Sequence, residues 1–118
     1  MAATRLDIII EQGADFRLAM IWKSGTPAVP VDLSGYTARM QIRVTHASKT
    51  PLVSFATGGG GITLNADPGL IDARLAAAAT ALLPIISAVY DLELISLTGA
   101  VRRFVEGKAN ITPEVTRP

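Results

Sequence analysis

The feature that most constrains the fold is a strict two-residue alternation after the turn signal Val31-Asp32-Leu33-Ser34-Gly35. Along Tyr36 to Val44, residues Tyr36, Ala38, Met40, Ile42 and Val44 share one face. Thr37, Arg39, Gln41 and Arg43 occupy the other. Successive strand side chains point to opposite sides, so this pattern predicts a strand with one dry face and one wet face. A helix would scatter the same apolar residues around its circumference. A long amphipathic strand needs neighbours for its edges and a cover for its dry side, and the remaining sequence is expected to supply both.

The material for that cover is aliphatic. Of 118 residues, 49% are hydrophobic and 18% charged, which places the chain among globular rather than disordered proteins. With three Phe, two Tyr and one Trp, the core must be built from Val, Ile, Leu, Met and Ala. The length suits one domain, 1–118, with a short polar tail at 112–118. Eleven basic and ten acidic residues give a net charge of +1 and are well mixed, which argues against a nucleic-acid partner. The chain has no cysteine, so neither disulfides nor thiolate metal sites are available. No leader is expected at Met1 to Arg5, and the longest apolar run, Leu75 to Ile86, is short and broken by Pro84. No membrane partner is expected.

In chain order, Leu6 to Gln12 predicts a first strand in which Ile8, Ile9 and Ile10 are apolar on both faces. Phe16 to Lys23 predicts a second, with Leu18, Met20 and Trp22 inward. Ser24 to Pro30 reads as an irregular connection. Leu52 to Thr57, Ile62 to Leu64 and Leu70 to Leu75 predict further strands, the last two paired across a turn at Ala66 to Gly69. Ala76 to Leu83 is the one helical candidate, ended by Pro84. Ala88 to Ile95 alternates again, with Tyr90, Leu92 and Leu94 inward. A hairpin turn then leads into Val101 to Ile111, expected to bulge or bend at Gly107. Seven or eight short strands and one short helix imply an all-β fold, an antiparallel immunoglobulin-like β-sandwich.

Chemistry is sparse along this framework. His46 sits in a loop without a carboxylate beside it in sequence and reads as an ordinary exposed histidine. Gly58 to Gly61 lacks the Lys-Ser/Thr and the helix of a phosphate loop, and reads as a flexible hairpin tip. Asp91 and Glu93 share a wet strand face, where acids more often pair with basic neighbours than catalyse. Arg39, Arg43, Arg102 and Arg103 are the expected partners. Asn65, Asp67 and Asp72 match no calcium-loop spacing. No nucleophile-base pair is indicated, and the expectation is a protein that is not an enzyme and has no cofactor, catalytic residue or metal site.

The order of motifs carries a resemblance. Gln12-Gly13-Ala14-Asp15-Phe16 is followed by Pro30-Val31-Asp32-Leu33-Ser34-Gly35-Tyr36 and the strand through Arg43. Gly61-Ile62-Thr63-Leu64 and an alanine-rich segment ending Leu83-Pro84 come next. Ala88 to Leu94 and the closing run Glu106 to Arg117 complete the set. This layout resembles the small immunoglobulin-like virion proteins of tailed bacteriophages, and is similar to the N-terminal domain of phage baseplate upper proteins. The resemblance implies a structural virion protein, made in the host bacterial cytoplasm and assembled into a tail, baseplate or fibre attachment in many copies. Its implied partners are other phage structural proteins. A capsid decoration protein is the first alternative. A carbohydrate-binding module ranks below it, because it would need exposed aromatic platforms. Two-sided Ile8, Ile9 and Ile10, with the tail residues Pro113, Glu114, Val115, Thr116 and Arg117, form the expected interface.

Overall fold

A computed structural model describes residues 3–116. The fold is all-β, with antiparallel and mixed sheets and a single helical turn. Eleven strands follow in order: β1 (Thr4–Arg5), β2 (Ile8–Glu11), β3 (Phe16–Ile21), β4 (Lys23–Ser24), β5 (Val29–Pro30), β6 (Thr37–Arg43), β7 (Val53–Ala56), β8 (Ile62–Leu64), β9 (Leu70–Leu75), β10 (Ser87–Ile95) and β11 (Val101–Thr112). The helix α1 (Ala77–Thr80) lies between β9 and β10.

The larger sheet runs β11-β10-β6-β7, with β1 and β2 both parallel to β11 along its far edge. β6, the strand with the clearest alternation, pairs with β10 on one side and β7 on the other. Its Ala38, Met40 and Ile42 are buried, as are Ala88, Tyr90, Leu92 and Leu94 of β10. The second sheet is β3-β9-β8, and it buries Phe16, Leu18, Ile62, Ile71 and Ala73. The apolar faces of both sheets contribute to one hydrophobic cluster. The tetraglycine, expected as a hairpin tip, instead carries the chain between them, from β7 in one sheet to β8 in the other.

Several expectations need correction. Ser24 to Pro30 is not irregular throughout: β4 and β5 form a small antiparallel hairpin, Lys23 opposite Pro30. The helix shrinks to one turn, because β9 keeps Leu75 paired with Phe16 and Pro84 follows closely. The final strand bulges at Phe104 rather than Gly107: Leu92 faces Val105 but Glu93 faces Arg103, so Phe104 is the unpaired extra residue. The bulge aims Phe104 at Trp22, with ring centroids 5.8 Å apart. Gly107 stays in register opposite Tyr90 and is glycine for another reason: a Cβ there would lie 2.2 Å from the Leu6 carbonyl oxygen. Met20, Trp22 and Tyr36, expected fully inward, are half-buried and pack against the margin of the cluster.

The N-terminal edge also differs. Thr4 pairs with Val105 and Ile8 with Ala109, so β1 and β2 hold one register and break only at Leu6-Asp7. There the Asp7 carboxylate, not a backbone carbonyl, accepts the Lys108 N–H at 2.9 Å. The Tyr90 hydroxyl crosses beneath and donates to the Leu6 carbonyl at 2.5 Å. Two side chains thus stand in for the missing ladder bonds. No fully buried side-chain nitrogen or oxygen among the described residues lacks a partner.

Candidate functional site

The expected interface divides when folded. Ile8 and Ile10 are 6% and 0% exposed, facing the core, whereas Ile9 is 63% exposed. The correction is a matter of geometry. A triple isoleucine on a strand is apolar on both faces, yet only the middle residue turns outward. Ile8 and Ile10 are therefore core residues, and of the three isoleucines Ile9 alone reaches the surface.

The tail is more tightly held than its composition suggests. Thr112 belongs to β11 and pairs with Glu11, so the unpaired tail starts at Pro113. Glu114 N–H donates to Gln12 Oε1, and Gln12 Nε2 donates to the Leu83 carbonyl at 3.0 Å. One glutamine therefore ties the tail to the end of the helical segment. Nearby, Gly13 N–H donates to Thr80 Oγ1, and the buried Thr80 hydroxyl donates to the Ala14 carbonyl. Asp15 Oδ1 accepts the first helical N–H, that of Ala77, at 2.8 Å. Beyond Glu114, Val115 is 90% exposed and Thr116 is also exposed, while Arg117 lies outside the described residues.

Two residues missed in the sequence join Ile9 and Val115 on the elements at this end. Leu82 is 85% exposed and Ile85 is 56% exposed. They belong to the apolar run Leu82-Leu83-Pro84-Ile85-Ile86, which reads as the end of a helix and gives no sign of which side chains turn outward. In the fold Leu83 is buried and Ile86 packs against the core, leaving Leu82 and Ile85 in solvent. The Ile86 carbonyl accepts the Ile111 N–H, which places this run beside the end of β11. Large apolar side chains left in solvent on neighbouring elements are candidates for contact with another protein.

A second feature is the wet face of the larger sheet. An open groove of about 350 Å³ is lined there by Gln41, Arg43, His46, Asp91, Arg103 and Glu106, among others. Register places Glu93 opposite both Arg39 and Arg103, and Asp91 opposite Glu106. Arg39 Nε meets Glu93 Oε1 at 2.7 Å, and Arg103 lies 3.5 Å from Asp91 and 3.6 Å from Glu106. Partial burial pushes the Asp91 carboxyl up, and Glu93 and Glu106 add to this, against the pull of Arg103 and His46. Arg43 donates instead to Gln41 and to the Ser48 carbonyl. Arg102 lies over the Trp22 ring, 4.9 Å from its centroid. The four arginines expected to partner these acids are thus divided between two faces. His46 lines the same groove as Asp91, a proximity the sequence spacing hid, and it is Arg103 that pairs with that carboxylate.

The other candidates separate. Asn65 holds the turn after Val31, accepting from Leu33 and Gly69 and donating to Asp32. Asp72 is bracketed by Arg17 and Arg74, whose hydrogen bonds hold its carboxyl below the usual range. No group of three His, Cys, Asp or Glu able to hold a metal occurs among the described residues. Trp22 packs edge-on to Tyr36, centroids 6.1 Å apart, and also meets Phe104 and Arg102, so the aromatic rings cover one another.

No protein-family model matches the chain, and no curated protein sequence matches it.

Proposed function

We propose that this chain is a structural virion protein of a tailed bacteriophage, an immunoglobulin-like β-sandwich that joins parts of a tail, baseplate or fibre by protein contact. The observation that carries the proposal is the apolar set Ile9, Leu82, Ile85 and Val115, exposed on the elements that surround the docked C-terminal segment. An end that exposes large aliphatic residues while its backbone is pinned suits a fixed neighbour. Two sheets with one shared core are consistent with the sandwich. The neutralised carboxylates of the wet face favour scaffolding over catalysis, since Asp91 and Glu93 already hold Arg103 and Arg39. Many identical copies would multiply a modest contact into a stable assembly.

Purified particles, separated into heads and tails and analysed by quantitative mass spectrometry, test this. The chain is expected in the tail fraction at a fixed multiple of the other tail proteins. Enrichment in heads would move it to the capsid as a decoration protein, and absence from particles would remove the virion role.

A further inference from the structure

The sheets have several edges, and all but one are blunted. β7 and β8 are four and three residues long, and the N-terminal edge is interrupted at Leu6-Asp7. Short, broken or charged edges discourage pairing with other chains. β3 is different: six residues, without proline, bulge or inward charge, paired on one side only.

The direction of its backbone groups follows from its neighbours. Trp22 N–H donates to the Gly69 carbonyl, and the Trp22 carbonyl accepts the Val31 N–H. Even-numbered residues therefore direct their N–H and C=O toward β9 and the β4-β5 hairpin. Arg17, Ala19 and Ile21 direct theirs to the open edge, and all three are exposed. The hairpin lies on the β9 side and leaves that edge clear.

We infer that the open edge of β3 pairs antiparallel with β3 of a second copy of this chain, with Ala19 opposite Ala19 on a two-fold axis. Charge selects this register. It sets Lys23 of each copy opposite Asp15 of the other, twice over, just beyond the two ends of β3. Asp15 Oδ1 caps the Ala77 N–H, and its second oxygen is the one that faces the lysine. It also sets Ile21 opposite Arg17, whose guanidinium is already held by Asp72 of β9, so no unpaired like charges meet. Sliding by two residues one way opposes Arg17 to Lys23. Sliding the other way opposes Asp15 to Ile21 and Lys23 to Gly13, and the ion pairs vanish. A two-fold pairing also closes on itself, so the edge is used up in a dimer and does not seed a fibre. The two three-stranded sheets become one six-stranded sheet, linked by main-chain hydrogen bonds and small or amphipathic side chains. This inference concerns self-association and stands independently of the virion proposal.

The absence of cysteine makes the test direct. Residues opposed in a hydrogen-bonded antiparallel pair have Cα atoms about 5.5 Å apart, within the roughly 4.4–6.8 Å that a disulfide spans. Ala19→Cys in the full chain is expected to oxidise rapidly to a covalent dimer. Ile21→Cys, whose twin would lie four residues away at roughly 13 Å, is not. Sedimentation of the wild type should show a monomer-dimer equilibrium. Ala19→Lys, which opposes two lysines at the axis, should raise its dissociation constant about tenfold. Lys23→Glu should raise it several-fold by facing Asp15 with a like charge. All three substituted positions are solvent-exposed, and matching thermal melts would establish that the variants fold. A wild type that stays monomeric up to millimolar concentration overturns the inference. So does a dimer unchanged by Ala19→Lys, or Ala19→Cys cross-linking no faster than Ile21→Cys.

Discussion

The carboxylate of Glu114 occupies the space that a side chain on Gly13 would need. A Cβ built on Gly13 would lie 1.7 Å from Glu114 Oε2, and Gly13 itself has a φ of +82°. The first turn of the chain and its closing segment are therefore fitted to each other, with Gln12 holding the Glu114 N–H beside them. Gly13→Ala should destabilise the protein by about 1–3 kcal/mol, combining a left-handed backbone strain with displacement of the carboxylate. Pairing it with Glu114→Ala should recover part of that loss, giving a non-additive double-mutant cycle in urea denaturation.

Ile9 and Ile10 separate surface from core within two adjacent residues. Ile10→Ala should cost about 2–5 kcal/mol, as should Ile42→Ala and Leu92→Ala, all at positions fully excluded from solvent. Ile9→Ala should change stability by no more than about 0.5 kcal/mol. Equal losses at Ile9 and Ile10 in equilibrium unfolding would contradict the assigned strand direction.

Tyr90 gives the fold an alkaline limit. Burial, with a contribution from Asp7, pushes its phenol up to about 12 from an ordinary value of 10. The folded state holds this proton more tightly than the unfolded chain. Its stabilisation is therefore complete below pH 10 and is lost as pH rises from 10 through 12. Tyr90→Phe should cost about 0.5–1.5 kcal/mol at neutral pH through the lost bond to Leu6. It should also flatten the alkaline fall relative to wild type in urea melts between neutrality and pH 12.

Two aspartates, Asp72 buried and Asp91 half-buried, should respond to substitution with opposite signs. Asp72, held below its ordinary value by hydrogen bonds from Arg17 and Arg74, stabilises the fold above an unfolded pKa near 3.8. That contribution is lost as pH falls through the lowered folded value, so Asp72→Asn should destabilise at pH 7. Asp91 is raised by desolvation and by its acidic neighbours, so its charge opposes folding at neutral pH. That penalty is absent below pH 3.8 and develops as pH rises through the raised folded value. Asp91→Asn should therefore stabilise at pH 7 and lose its advantage in acid, as thermal melts at both pH values can read.

Alternation made the strands of the larger sheet legible. Tyr36 to Val44 contains β6, and Ala88 to Ile95 fits β10 to within one residue. What sequence could not reveal depends on partners distant in the chain. Phe104 is extruded because the adjacent Leu92 and Glu93 pair with Val105 and Arg103 on either side of it, and nothing local marks it out. Gly107 looks like a bulge from its neighbours, but its missing side chain makes room for Leu6, a hundred residues earlier. The tail looked loose because Pro113 to Thr116 offer little to a core, yet Glu114 docks through its main chain and a glycine gap. The isoleucine run announced an apolar strand without saying which of its faces stayed dry. The apolar end was half legible: Ile9 and Val115 stood out in the sequence, while Leu82 and Ile85 were hidden inside a run that looked wholly buried.

A density map of the intact particle tests the central claim most directly. Repeated copies of this β fold are expected in the tail assembly, with Ile9, Leu82, Ile85 and Val115 buried against a neighbouring protein. Particles in which no density fits the chain, or in which that end faces open solvent in every copy, would contradict it.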